Sequence, residues 1–253
     1  MIQPRIIPVL LLKNKGAYKT VNFKSPRYLG DPINMIKIFN DKLVDEIIIL
    51  DIDATVNNTF IDDNYIKNLA SQAQMPACYG GGVNTLEKAK KVISAGFEKI
   101  AVSSRALVDE AFLKELARQF GAQSVVVVID LKLSKGKYSI YTHNGNVLMK
   151  KDFLEVFDEI SKYAGEVVIN SIDNDGKMAG YDLFLASLIE SRALTPITFL
   201  GGASSLQDLK IITDFNNYAA AASSLFVFQG NLKAILPSYP NLKQRADFFI
   251  GDR

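Results

Sequence analysis

Eight short apolar runs, rich in β-branched residues, punctuate the chain at positions 6–12, 46–50, 77–79, 99–102, 124–129, 166–170, 197–200 and 219–222. Most are apolar almost without interruption, as strands covered on both faces are, whereas a half-solvated strand alternates. Between the runs the apolar positions take up helical spacing. Asp31-Pro32 reads as an N-cap with proline in the first turn. Leu86, Ala89, Val92 and Ile93 share one helical face that Gly96 terminates. Asp109 precedes Phe112, Leu113, Leu116 and Phe120, with Gly121 closing; Asp152 precedes Leu154, Phe157 and Ile160, with Gly165 closing. Eight alternating strand–helix units predict an α/β fold, a closed (β/α)8 TIM barrel, in preference to a doubly wound open sheet.

The pattern also repeats. Arg5-Ile-Ile-Pro-Val-Leu-Leu-Leu-Lys13 returns as Ser124-Val-Val-Val-Val-Ile-Asp-Leu-Lys132, and Val44-Asp-Glu-Ile-Ile-Ile-Leu-Asp-Ile-Asp53 as Ala164-Gly-Glu-Val-Val-Ile-Asn-Ser-Ile-Asp173. Tyr79-Gly-Gly-Gly82 parallels Leu200-Gly-Gly-Ala203, and Ala101-Val-Ser-Ser104 parallels Ala221-Ala-Ser-Ser224. The offset stays at about 120 residues, far longer than a solenoid or propeller period. Two homologous half-barrels, about 1–120 and 121–253, in one domain are the expectation. Two long connections, 14–29 and 133–151, occupy equivalent places in the halves and read as loops over the catalytic face.

Composition narrows the class. Of 253 residues, 48% are hydrophobic and 22% charged, which fits a packed soluble protein. A net charge of +2 gives no reason to expect nucleic acid or an anionic membrane as partner. One cysteine, Cys78, excludes an internal disulfide and points to a reducing compartment. Met1-Ile-Gln-Pro-Arg5 runs into the first strand without the charged and apolar regions of a signal peptide, so a cytoplasmic protein is expected. The lone His143, in Tyr141-Thr-His-Asn-Gly145, has no clustered partners; it reads as a surface-loop residue, and neither metal nor cofactor is expected.

Candidate chemistry lies at the strand ends. Gly81 and Gly82, then Ser103 and Ser104, follow the third and fourth strands; Gly202 and Ala203, then Ser223 and Ser224, follow the seventh and eighth. Bare N–H groups and hydroxyls there can cradle phosphate, although tight turns and helix caps use the same residues. The duplicated pattern favours two phosphate sites and a bis-phosphorylated ligand. Asp51, Asp53, Asp130, Asp173 and Asp175 bring carboxylates to the same face. Asp130 follows five apolar residues, so catalysis or a buried ion pair is its expected use. Asp173-Asn-Asp-Gly176 is also compatible with an Asx turn. Lys19, in the first long connection, can meet a phosphate or remain solvated. At the other face Arg5, Glu46, Lys99 and Glu166 each stand just before a strand; periodicity alone reads them as a stabilising ion-pair plug.

Taken together these residues resemble the HisF family, the cyclase subunit of imidazole glycerol phosphate synthase, over essentially the whole chain. The motifs are Phe23 with Gly30-Asp-Pro32, Asp45-Glu-Ile with Leu50-Asp-Ile52, Gly80-Gly-Gly82, Val126-Val-Val-Ile-Asp130, and Ser171-Ile-Asp-Asn-Asp-Gly176 with Gly180-Tyr-Asp182. The resemblance implies a glutaminase (class I amidotransferase) partner docked at the barrel floor. Ammonia would pass from it through the barrel to a phosphorylated substrate at the mouth. It also implies that Asp130 is one of two catalytic aspartates, with Leu11 in the place of the other. Arg5, Glu46, Lys99 and Glu166 match the family's charged gate, and Lys19, Asp51, Asp175 and Gly176 fall in its substrate-contacting motifs. Ser103 departs from the family's asparagine and Leu200 from a small polar residue.

Leucine has no titratable proton, so the implied acid–base pair is incomplete and cyclisation should be slowed by about 10²–10⁴-fold. Ile7-Pro-Val-Leu-Leu-Leu-Lys13 with Tyr28-Leu-Gly-Asp-Pro-Ile33 resembles the AglZ-like acetamidino-modification branch. That branch implies ammonia delivery to a separate sugar-amidating enzyme for lipopolysaccharide or surface glycan. The alternatives are a cyclase subunit of histidine biosynthesis and a non-catalytic, ligand-binding scaffold for a glutaminase.

Overall fold

The computed structural model describes residues 4–215 and 218–249. Met1, Ile2 and Gln3, on which the reading of the leader partly rests, lie outside the described residues. Eight parallel strands form the barrel: β1 (Ile6–Lys13), β2 (Ile47–Asp51), β3 (Ala77–Gly80), β4 (Lys99–Val102), β5 (Val125–Ser134), β6 (Glu166–Ser171), β7 (Ile197–Leu200) and β8 (Ala219–Ala222). Each pairs with its sequence neighbours, and β8 returns to β1, so the sheet is closed. Each strand matches an apolar run of the sequence to within a few residues.

Closure leaves two cores, because successive side chains of a strand point to opposite faces. Ile7, Val9, Leu11, Ile48, Cys78, Val126, Val128 and Val168 fill the bore. Ile6, Leu10, Leu12, Val127 and Ile129 face outward against the helices. Capping fixes where those helices begin: the carboxylates of Asp31, Asp109 and Asp152 each accept a backbone N–H of their own first turn.

Two expectations need correction. The connections 14–29 and 133–151 are not open loops. The first folds into antiparallel strands Gly16–Val21 and Lys24–Gly30. In the second, β5 runs on to Ser134 and pairs with Lys137–Thr142, followed by Val147–Leu148. The helix that Asp152 caps ends at Ile160 rather than at Gly165. Gly165 instead allows two segments to approach closely. A Cβ there would stand 2.2 Å from the Ala122 carbonyl oxygen, and its N–H donates to Val125 at the start of β5.

The end of the chain secures its beginning. The Tyr239 hydroxyl lies 2.9 Å from both the Ile6 carbonyl and the Asp45 carboxylate, and Arg245, on the helix Leu242–Phe249, pairs with that carboxylate. No helix among the described residues is long and apolar enough to cross a membrane.

Candidate active site at the barrel mouth

The C-terminal ends of the strands surround a cavity of about 150 Å³. Its wall is mixed. Val9, Leu11, Leu50, Val128 and Leu200 supply the apolar part, and Lys19, Asp51, Asp130, Asn170 and Asp175 the polar part. Phe23, at the turn of the first hairpin, closes over one side.

Asp130 and Asn170 sit directly opposite each other in the β5–β6 register, Asn170 near the end of β6 and Asp130 where β5 passes the barrel mouth into its hairpin. The Asn170 amide Nδ2 donates to Asp130 Oδ1 at 2.8 Å, while its own Oδ1 is buried without a partner among the described residues. Burial is the main influence on Asp130 and raises its pKa to about 7; the Asn170 bond opposes that rise and the charge of Asp175 adds to it. Leu11 belongs to the apolar filling of the bore and is 9% exposed. The first-half position that corresponds to Asp130 therefore carries no proton-transferring group.

Lys19 is not solvated. It is 4% exposed and its Nζ lies 2.6 Å from Asp175 Oδ1, while Thr20 Oγ1 donates to the other carboxylate oxygen. The Asn22 N–H donates to the Asp175 carbonyl, so the hairpin after β1 is docked on the loop after β6. Gly176 permits the crossing: its φ is +74°, and a Cβ would stand 2.3 Å from the Thr20 carbonyl oxygen. Asp173 accepts the Leu133 N–H at 2.8 Å. The carboxylates of Asp173 and Asp175 thus reach across to other segments rather than back onto an Asx turn. Burial raises the pKa of Asp51 as well, although the N–H groups of Asp53 and Ala54 donate to it. Asp53 itself is held by Lys13 at 2.6 Å.

Both candidate cradles face open space. Gly81, Gly82, Ser103 and Ser104 line the main cavity. Gly176, Gly202, Ala203, Ser223 and Ser224 line a smaller pocket of about 10 Å³, and Lys19 and Asp175 border both. Ser103 Oγ and Ser224 Oγ, one in each cradle, are buried without a hydrogen-bond partner among the described residues. Asn170 escaped the sequence reading of the cavity, and so did the place of His143 beside it. Asn170 looks like the end of an apolar strand. His143 is exposed in its turn, as expected, but lines the cavity rim, with its N–H 3.4 Å from Ser104 Oγ.

At the opposite end Arg5, Glu46, Lys99 and Glu166 do converge. Arg5 bonds Glu46 at 2.8 Å and Glu166 at 2.9 Å; Lys99 bonds the same two carboxylates at 2.7 and 2.8 Å. Thr198 Oγ1 also donates to Glu166. Burial pulls against the charged forms, but the ion pairs outweigh it: Glu166 lies below its ordinary pKa, Arg5 and Lys99 above theirs. The ring closes the bore with two cations and two anions.

Comparison with known proteins agrees with this arrangement. The family described as "Histidine biosynthesis protein" matches residues 5–233. A Leptospira interrogans protein named "Putative imidazole glycerol phosphate synthase subunit HisF" is 43% identical over 98% of this chain and 100% of its own length. A Pseudomonas aeruginosa protein, "Putative imidazole glycerol phosphate synthase subunit hisF2", is 44% identical over 96% and 98%. "Imidazole glycerol phosphate synthase subunit HisF" of Alkaliphilus metalliredigens is 34% identical over 96% of both chains. With a match over nearly its whole length, a closed eight-stranded barrel and a ligand-sized cavity at the strand ends, the chain belongs to the HisF family of histidine biosynthesis proteins.

Proposed function

We propose that this protein receives ammonia from a class I glutaminase docked at the barrel floor and channels it through the bore to an acceptor at the mouth. The observation that carries this reading is the pairing of a complete floor ring with a leucine, Leu11, opposite Asp130. The bore favours a neutral passenger. Val126, Val168, Ala219 and Ala221 offer no hydrogen bonds from their side chains, so ammonium would be stripped of water without compensation, whereas ammonia loses far less. At the mouth, Asp130 holds a proton into the neutral range and can serve as one acid–base group. Cyclisation with two opposed carboxylates is out of reach. On the resemblance of Ile7–Lys13 and Tyr28–Ile33 to the acetamidino-modification branch, the acceptor is taken to be a sugar whose amidation, giving an acetamidino group of a lipopolysaccharide or surface glycan, is completed by a separate enzyme. The serine and glycine cradles hold a phosphorylated ligand.

The test reconstitutes the chain with its glutaminase and the sugar-amidating enzyme. Glutamine should support amidation, and Arg5→Ala or Lys99→Ala should leave glutamine hydrolysis running while amidation falls. Unchanged glutamine-dependent transfer in both variants would falsify the channel. The retained Asp130 and the two cradles favour a second reading, a cyclase subunit of histidine biosynthesis, as the names of the relatives suggest. That reading requires rescue of a histidine auxotroph lacking its cyclase; no rescue is expected.

A further inference from the structure

The carboxyl of Asp130 receives one side-chain hydrogen bond among the described residues, and it comes from a position that could have been apolar. Position 170 faces inward near the top of a strand whose other inward residues are Glu166 and Val168. An asparagine here costs desolvation of a whole amide, only half of which is offset, since Nδ2 meets Asp130 and Oδ1 is left unbonded. The surroundings supply little else. Leu11 and Leu200 bring no hydrogen-bonding group, and Ser103 Oγ is unpartnered. Tyr141 is the register neighbour on the hairpin side. The charged groups around the cavity are Asp175, paired with Lys19, Asp51, which is engaged by backbone N–H groups, and Arg105, paired with Asp109; His143 is the titratable group at the rim.

We propose that Asn170 is a positioning residue for Asp130, holding its carboxyl in one orientation toward the cavity and following its protonation state by turning the amide. The ionised carboxylate accepts from Nδ2. The neutral acid has a proton to give, and the unpartnered Oδ1 accepts it after a half-turn of the terminal torsion, which is soft for an amide. The first bond is charge-assisted and the stronger of the two, so Asn170 favours release of the proton. The inference rests on reading Asp130 as the acid–base group of the mouth, but it does not depend on the identity of any acceptor.

The experiment is a pH titration of the isolated full-length protein by NMR, with labelled aspartate carboxyl carbons and asparagine side-chain amides. The Asp130 signal is assigned by its loss in Asp130→Asn. In the wild type the Asn170 amide protons should shift with the same midpoint as the Asp130 carboxyl. In Asn170→Leu that midpoint should rise by about half a pH unit or more, a roughly threefold or greater gain in proton affinity. Asn170→Ala reads the same quantity if the leucine variant does not fold. Asn170 amide resonances indifferent to the Asp130 titration, or a midpoint that stays or falls in the variant, would overturn the proposal. Neither readout uses glutaminase or acceptor, so failure here is distinguishable from failure of ammonia transfer.

Discussion

At the floor of the barrel Glu46 and Glu166 are each 4% exposed, yet each carboxylate meets both Arg5 and Lys99. At the mouth, Asp130 has one hydrogen bond from a neutral amide and, among the described residues, no cation against it. Burial therefore has opposite consequences at the two ends of one bore. Paired with both cations, Glu166 keeps its charge; unpaired, the mouth carboxylate keeps its proton into the neutral range. A fully paired ring keeps fixed charge at the floor, whereas a group that titrates near neutrality suits proton traffic.

Breaking the floor should cost most. Glu166→Ala leaves Arg5 and Lys99 facing one carboxylate, and loss of a partner from a buried network costs about 3–5 kcal/mol. Denaturant unfolding should record a loss of that size near neutral pH. Because Glu166 lies below its ordinary pKa, the contribution is present above the ordinary carboxylate range and fades as pH falls through the folded value. The gap between wild type and variant should narrow in acid.

Turning the mouth into a copy of the two-carboxylate pattern should cost less. Leu11→Asp places a second acid in the apolar filling of the bore with Val9, Leu50 and Leu200. A loss of about 1–3 kcal/mol is expected, larger at pH 8 than at pH 5, where the introduced acid is free to stay protonated. Equal losses at both pH values would remove the electrostatic explanation.

The smallest effect sharpens the comparison by its sign. Folded Asp130 releases its proton at about 7 and the unfolded chain near 3.8, so between these values the native state binds more protons. Wild-type stability should therefore fall as pH rises through that window, opposite to the Glu166 trend. Asp130→Asn removes the slope, and above pH 7 it should be the more stable protein by about 1 kcal/mol, a figure reduced for the partial exposure of the carboxyl to the cavity.

Much of this is legible in the sequence, for reasons that also mark the boundary. The eight barrel strands are readable because both of their faces are covered, which forces apolar residues into most positions. The first hairpin is not, because Lys24-Ser-Pro-Arg-Tyr28 pairs as a strand with its side chains in solvent and leaves no apolar signature. The helix from Phe153 reads as longer than it is because Tyr163 and Ala164 keep an apolar spacing after the backbone has already turned at Ser161. The floor ring can be picked out residue by residue, since each member stands at or just before the start of a strand. Asn170 cannot be found that way: its importance comes from β6 lying beside β5 in register, a contact that a linear pattern of charges does not encode.

The tie between Tyr239, Arg245, Asp45 and the start of β1 has a temporal meaning. During synthesis β1 emerges first, yet one of its two barrel neighbours, β8, and the residues that clamp its first carbonyl come more than about 200 residues later. Until then the strand that carries Leu11 has an open edge. Closure of the seam is a late, long-range step, so substitutions at Tyr239 or Arg245 should slow acquisition of the closed barrel and leave a longer-lived, aggregation-prone precursor.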